Sequence, residues 1–250
     1  MAFTGISAGG WGILGVAAFL IGFSKTGLPG FAIVAVPLSA LVIPARESTG
    51  IILPMLIVGD VFAVLLYRRH ARWRHLVRLI PWALAGIFIG YRILAVVTDR
   101  QLRPLIGILI LAMVSVAKWQ ELRSNEGTEM MLSQHWAFAA IMGLVAGIAT
   151  MLANAAGPVM TMYLLAMGVS KNEFIGTGAW FFCIVNCLKV PFSSNLGLIT
   201  HESLLLNVRL VPAIIAGVVL GSIFLRKIPQ RMFMRLAQVL AACGAVKLLF

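Results

Sequence analysis

Apolar runs such as Ile51 to Leu66, Leu79 to Val97, Leu105 to Ala117 and Val208 to Leu225 follow one another with only short polar or proline-bearing breaks. Each approaches the ~20 residues that cross a ~30 Å hydrocarbon layer as a helix. Lipid offers no partner to backbone N–H and C=O groups, so such runs must be helical, and no ten-residue alternation points to a barrel. Only 11% of the 250 residues are charged and 61% are hydrophobic, which excludes a water-soluble core. The expected class is an all-α polytopic membrane bundle.

The net charge of +12 comes from cations clustered between the apolar runs, where positive-inside sorting puts them, so nucleic acid is not an expected partner. Met1 to Gly10 lacks a basic leader, so the N-terminus is expected to be retained. Cys183, Cys187 and Cys243 all lie inside apolar runs, which suits packing rather than a disulfide framework or zinc.

The chain reads as a duplication. Arg78-Leu79-Ile80-Pro81, Ala85-Gly86 and Gly90 return as Arg209-Leu210-Val211-Pro212, Ala216-Gly217 and Gly221, at an offset of 131, the difference between 209 and 78. Lys25-x-x-x-Pro29 pairs with Asn154-x-x-x-Pro158, and Glu47-x-x-Gly50 with Asp60 pairs with Glu173-x-x-Gly176 with Asn186. Five segments per half follow: 11–24, 30–43, 48–66, 76–97 and 101–118, then 134–152, 158–169, 173–190, 204–225 and 231–249. An odd number inverts the second half.

Charge agrees with that parity. Arg68, Arg69, Arg72, Arg74 and Arg78 fill the third connection of half one, whereas Pro191 to Ser203 carries no cation; the fourth connection reverses this, with Arg226, Lys227, Arg231 and Arg235 in half two. The expectation is two inverted repeats, 1–120 and 134–250, joined by a cytoplasmic linker at 121–133, with both termini outside. Against it, the linker region carries Glu121, Glu126 and Glu129.

The first two segments of each half are read as short: 14 residues, as in 11–24 and 30–43, reach only ~21 Å. Each half is therefore expected to open with a re-entrant-like hairpin, turning at Lys25-Thr26-Gly27-Leu28-Pro29-Gly30 and at Asn154-Ala155-Ala156-Gly157-Pro158. Proline suits the first turn of a helix, so Pro29 and Pro158 would begin the second arms and aim two helix N-termini at the centre. Free N–H groups there favour an anion. Lys25 adds a full charge, with snorkelling to the interface as the alternative.

Asp60 lies inside an apolar run, and its counterpart Asn186 has Lys189 one turn further on the same face. Two roles stand open for this group, a coupling proton or an ion pair that neutralises Lys25. Thr26, Thr49 and Thr177 offer hydroxyls near the turns, although such hydroxyls usually bond back to their own helix. The Gly86/Gly90 and Gly217/Gly221 pairs are read as close helix packing. Trp180, Phe181 and Phe182 are read as lipid or core contacts.

These residues resemble the TauE/SafE sulfite exporter family over nearly the whole chain. The resemblance rests on Gly22-x-x-Lys25-Thr26-Gly27-x-Pro29-Gly30 with Val36-Pro37, on Gly59-Asp60, on Ala156-Gly157-Pro158, and on Thr177 with Asn186-x-x-Lys189. It implies a duplicated helical transporter in a bacterial inner membrane that exports sulfite or handles related anions such as organosulfonates. Many members carry a run of glycines at the first turn, where this chain has Lys25-Thr26-Gly27-Leu28-Pro29; the added lysine favours an anion.

The expected function is thus export of a small sulfur-containing anion by alternating access, with a proton-coupled carrier of an organosulfonate or small carboxylate as the alternative. The expected partners are the anion and membrane lipid, with a homodimer open to the chain. No cofactor, metal or enzymatic activity is expected. A thiol-redox carrier would use Cys183 and Cys187, but half one has no matching cysteine; His70, His75, His135 and His201 sit in or beside connections without ligand-like spacing. A cation carrier working through Asp60 is the remaining rival.

Overall fold

The computed structural model describes residues 6–28, 32, 35, 38–39, 41–43, 45–96, 98, 136–229, 231–233, 235–236 and 239. The linker at 121–133, the segment at 101–118 and the candidate residues Pro29 and Gly30 lie outside them, as do half of 30–43 and most of 231–249.

Among the described residues the regular structure is helical: α1 (Ala8–Thr26), α2 (Ala45–Tyr67), α3 (Trp73–Val96), α4 (Trp136–Ala153), α5 (Ala156–Ala166), α6 (Lys171–Asn195) and α7 (His201–Lys227). A 3-10 turn, Arg68–His70, links α2 to α3. By length and composition α1, Gly50–His70, α3, α6 and α7 can each cross a membrane, while α4 and α5 are shorter apolar helices. Outward-facing Val77, Phe88, Ile141 and Val208 are exposed, a surface suited to hydrocarbon.

The first segment is longer than its apolar count. Ser7 accepts a hydrogen bond from the Gly10 N–H at 3.1 Å, which starts α1 at Ala8, and the helix runs on through Lys25 to Thr26, 19 residues in all. At 1.5 Å per residue that is ~28 Å, enough to span, so α1 corrects the expectation of a short arm. In the second hairpin α5 is short, at 11 residues. Capping boxes at Ser170/Glu173 and Thr200/Ser203 start α6 and α7. Pro81 and Pro212, equivalent in the duplication, both lie inside long helices.

The buried apolar residues form two cores. One joins α1 and α7 to Ile51, Ile52, Met55 and Leu56 of α2. The other gathers α3, α4, α5 and α6, with the ends of α2 and α7. The most extensive packing is α3 on α4 and α1 on α7, so the first segment of each half rests on the fourth segment of the other. The two third segments, α2 and α6, meet along the seam.

Small residues make these crossings close. A Cβ at Gly86 would strike the Leu144 carbonyl and one at Gly147 the Ala83 carbonyl, locking α3 to α4; Gly217 against Phe19 and Gly22 against Ile214 lock α7 to α1 in the same way. Across the seam Gly50 meets the Leu198 carbonyl and Gly176 meets the Tyr67 carbonyl. Gly50 and Gly176 are matched in the internal sequence comparison, and each packs on a backbone carbonyl of the facing segment. With lipid as solvent, such backbone approach and dispersion replace the hydrophobic effect as the force between helices.

Candidate functional site

Lys25 leaves the last turn of α1, where Gly27 ends the helix with φ −107° and ψ −101° and its N–H bonds to the Phe23 carbonyl at 2.8 Å. Its stem crosses α2 at Gly59, where a Cβ would meet Lys25 Cγ at 3.1 Å. The Lys25 Nζ then lies 2.7 Å from Asp60 Oδ1 and 4.5 Å from the centroid of the Phe182 ring. Both side chains are buried, Asp60 completely.

The second hairpin turns at Asn154, which takes the left-handed φ of 54° that asparagine tolerates better than most residues. The Ala155 N–H reaches back to the Ala149 carbonyl at 3.2 Å. Helix α5 then opens at Ala156 with no side-chain cap, and Gly157 and Pro158 fill its first turn. Its first N–H groups therefore have no intrahelical partner.

Helix α6 joins the two tips. Asn186 Nδ2 donates to Asp60 Oδ2 at 2.7 Å, while Lys189 Nζ donates to Asn154 Oδ1 at 2.5 Å, Thr150 Oγ1 at 3.1 Å and Asn186 Oδ1 at 3.4 Å. A continuous polar chain results, Lys25 to Asp60 to Asn186 to Lys189 to Asn154, crossing the seam between the two cores. A carboxylate oxygen only accepts and a lysine nitrogen donates, so Asp60 and Lys189 fix how both amides are turned.

Beside this chain is a cavity of about 60 Å³. Since one water needs roughly 10–15 Å³ on this measure, there is room for several waters or one small oxyanion. Ser24, Lys25, Thr150, Asn154, Gly157 and Asn186 form its polar lining, and Phe174 and Phe182 bound it on the apolar side.

The residues singled out in the sequence divide accordingly. Lys25, Asn154, Gly157 and Asn186 line the cavity. Asp60 and Lys189 stand behind it, both buried. Ala156 and Pro158, also buried, shape the start of α5. Thr26 spends its hydroxyl on the Val218 carbonyl of α7 at 2.7 Å, and Gly27 packs against Gly221. The Thr177 hydroxyl accepts the Arg72 N–H at 2.9 Å, which docks the turn between α2 and α3 onto α6. Phe182, expected as a lipid or core contact, packs against the core and also faces Lys25 with its ring. Phe182 precedes Asn186 by four residues and Thr150 precedes Asn154 by four, and that helical spacing is the signal that places both at the site. Cys183 and Cys187 are unbridged.

The family model described as Sulfite exporter TauE/SafE matches residues 3–248. The chain belongs to the TauE/SafE family. Comparisons with curated proteins and with solved structures give no match. TauE/SafE membership makes the protein a membrane transporter, in agreement with its long apolar helices. The TauE/SafE match runs through both hairpins and both seam helices, so the polar chain lies wholly within the region matched.

Proposed function

We propose that the protein exports a small sulfur-containing anion, with sulfite as the first candidate, across a bacterial inner membrane. The observation that carries this reading is the cavity at the seam, which borders an ammonium, two asparagine amides and the open N-terminal turn of α5. Groups of this kind stabilise negative charge. Lys25 is the substrate's electrostatic anchor, and Asp60, at 2.7 Å, holds it in place as its counter-ion. A cell interior held negative favours exit of an anion by ~2.3 kcal/mol per charge per 100 mV, so export needs no coupling ion.

The halves 1–120 and 134–250 are read as inverted repeats. Support comes from the exchange of packing partners, α1 with α7 and α4 with α3, and from the matched seam contacts of Gly50 and Gly176. On this reading the bodies that rock to give alternating access are not the sequence halves. They are the two cores, each built from segments of both halves and separated by the seam that holds the site.

Sulfite efflux from sealed liposomes tests the proposal. Wild-type protein should release sulfite and Lys25→Ala should not. Absence of sulfite flux in the wild type, with another anion moving, discards the substrate. A cross-link between α2 and α6 that leaves flux intact discards the rocking.

A further inference from the structure

The buried charges at the seam leave a remainder. Lys25 and Asp60 cancel at 2.7 Å. Lys189, 1% exposed, has no ion-pair partner among the described residues; three neutral oxygens surround its Nζ, from Asn154 at 2.5 Å, Thr150 at 3.1 Å and Asn186 at 3.4 Å. An ammonium has three N–H donors and no acceptor, which these oxygens match. A neutral amine could fill the same contacts only by taking the Thr150 O–H on its lone pair. With Lys189 as the ammonium, which uses all three oxygens as acceptors, the centre carries one positive charge that its own described groups do not offset.

Lys189 does not line the cavity but stands behind three residues that do, Thr150, Asn154 and Asn186. By taking the Asn154 side-chain oxygen it fixes which way round that amide is turned. Asn186 is held the same way round, its nitrogen on Asp60 and its oxygen towards Lys189.

We infer that the site is matched to a ligand of one negative charge, and that Lys189 sets this preference without touching the ligand. The inference rests on the anion-transport reading of the same site and adds the charge class of the substrate. A monoanion brings the centre to neutrality. A dianion of the same shape overshoots it, and gives up more hydration on entering a buried cavity.

Methanesulfonate and sulfate are suitable probes, because both are tetrahedral and close in size, and both keep their charge near neutral pH. Binding to purified protein by calorimetry, with competition against sulfite efflux in liposomes, should favour methanesulfonate by about tenfold or more. Asp60→Asn raises the centre by one charge and should move the preference about tenfold towards sulfate. Lys189→Gln removes one and should weaken both anions. The double variant restores the original sum and should restore the monoanion preference, an outcome that a merely structural role for Lys189 does not give. Should a variant fail to fold, the wild-type preference still decides. Sulfate bound as tightly as methanesulfonate, or a ratio unmoved by Asp60→Asn, overturns the charge rule and leaves anion transport standing; binding of neither probe, and of no sulfite, overturns both.

Discussion

Lys189 of α6 donates to the side-chain oxygen of Asn154 at 2.5 Å, and Asn154 is the position that in the first half is Lys25. Each half thus brings one ammonium to the seam by a different route. The first sets it in the last turn of α1. The second sets an amide at the turn between α4 and α5 and supplies the ammonium from α6.

Asn154→Gly separates the turn from the amide. Glycine accepts the left-handed φ of 54°, so the backbone is retained, but Lys189 loses its shortest contact. The expected result is a melting temperature lowered only slightly, with anion affinity reduced about tenfold, as befits a lost charged hydrogen bond of ~1.5 kcal/mol. Unchanged affinity would remove Asn154 from the site.

The Lys25 and Asp60 side chains should be strongly coupled. Lys25→Met leaves a buried carboxylate without its counter-ion, and Asp60→Leu strands a buried ammonium; each should cost about 3–5 kcal/mol of stability. The double variant should recover a large part of that loss and fold, yet fail to move sulfite. Additive losses in thermal unfolding would show that the pair is not one unit.

Thr177→Val should affect stability rather than binding. It takes the acceptor from the Arg72 N–H and should cost about 1–3 kcal/mol. The KM for sulfite should stay at its wild-type value. A raised KM at unchanged stability would return Thr177 to the binding site.

Gly86→Val and Gly217→Val should each disrupt a helix pair, because the new side chain meets a facing backbone carbonyl that cannot move aside alone. A loss of at least about 1–3 kcal/mol is expected, seen as aggregation in size-exclusion chromatography of the solubilised protein. Gly12→Ala, which meets nothing within 4 Å, is the control and should behave as wild type.

The helices and most of the polar centre were legible in the sequence because lipid punishes polar side chains that lack partners. Lys25, Asp60, Asn186 and Lys189 stand out within apolar runs, and the structure brings all four into one hydrogen-bonded chain. The length of α1 was less visible: hydropathy falls at Lys25, but helical hydrogen bonding continues past it. Hydroxyls were the least legible. Thr26 and Thr177 have the composition of ligand groups and are spent on the backbone of other elements, while Thr150, in a plain apolar run, holds Lys189. Only the three-dimensional path of the chain tells these uses apart.

The exchange of partners between the halves also bears on how the protein is made. Helix α1 precedes every other described helix out of the ribosome, yet the surface notched at Gly22 and closed by Ile214 is completed only by α7. A nascent chain stopped anywhere before α7 therefore holds α1 in the bilayer with its docking face unfilled, and the core that backs Lys25 closes only once α7 has been made.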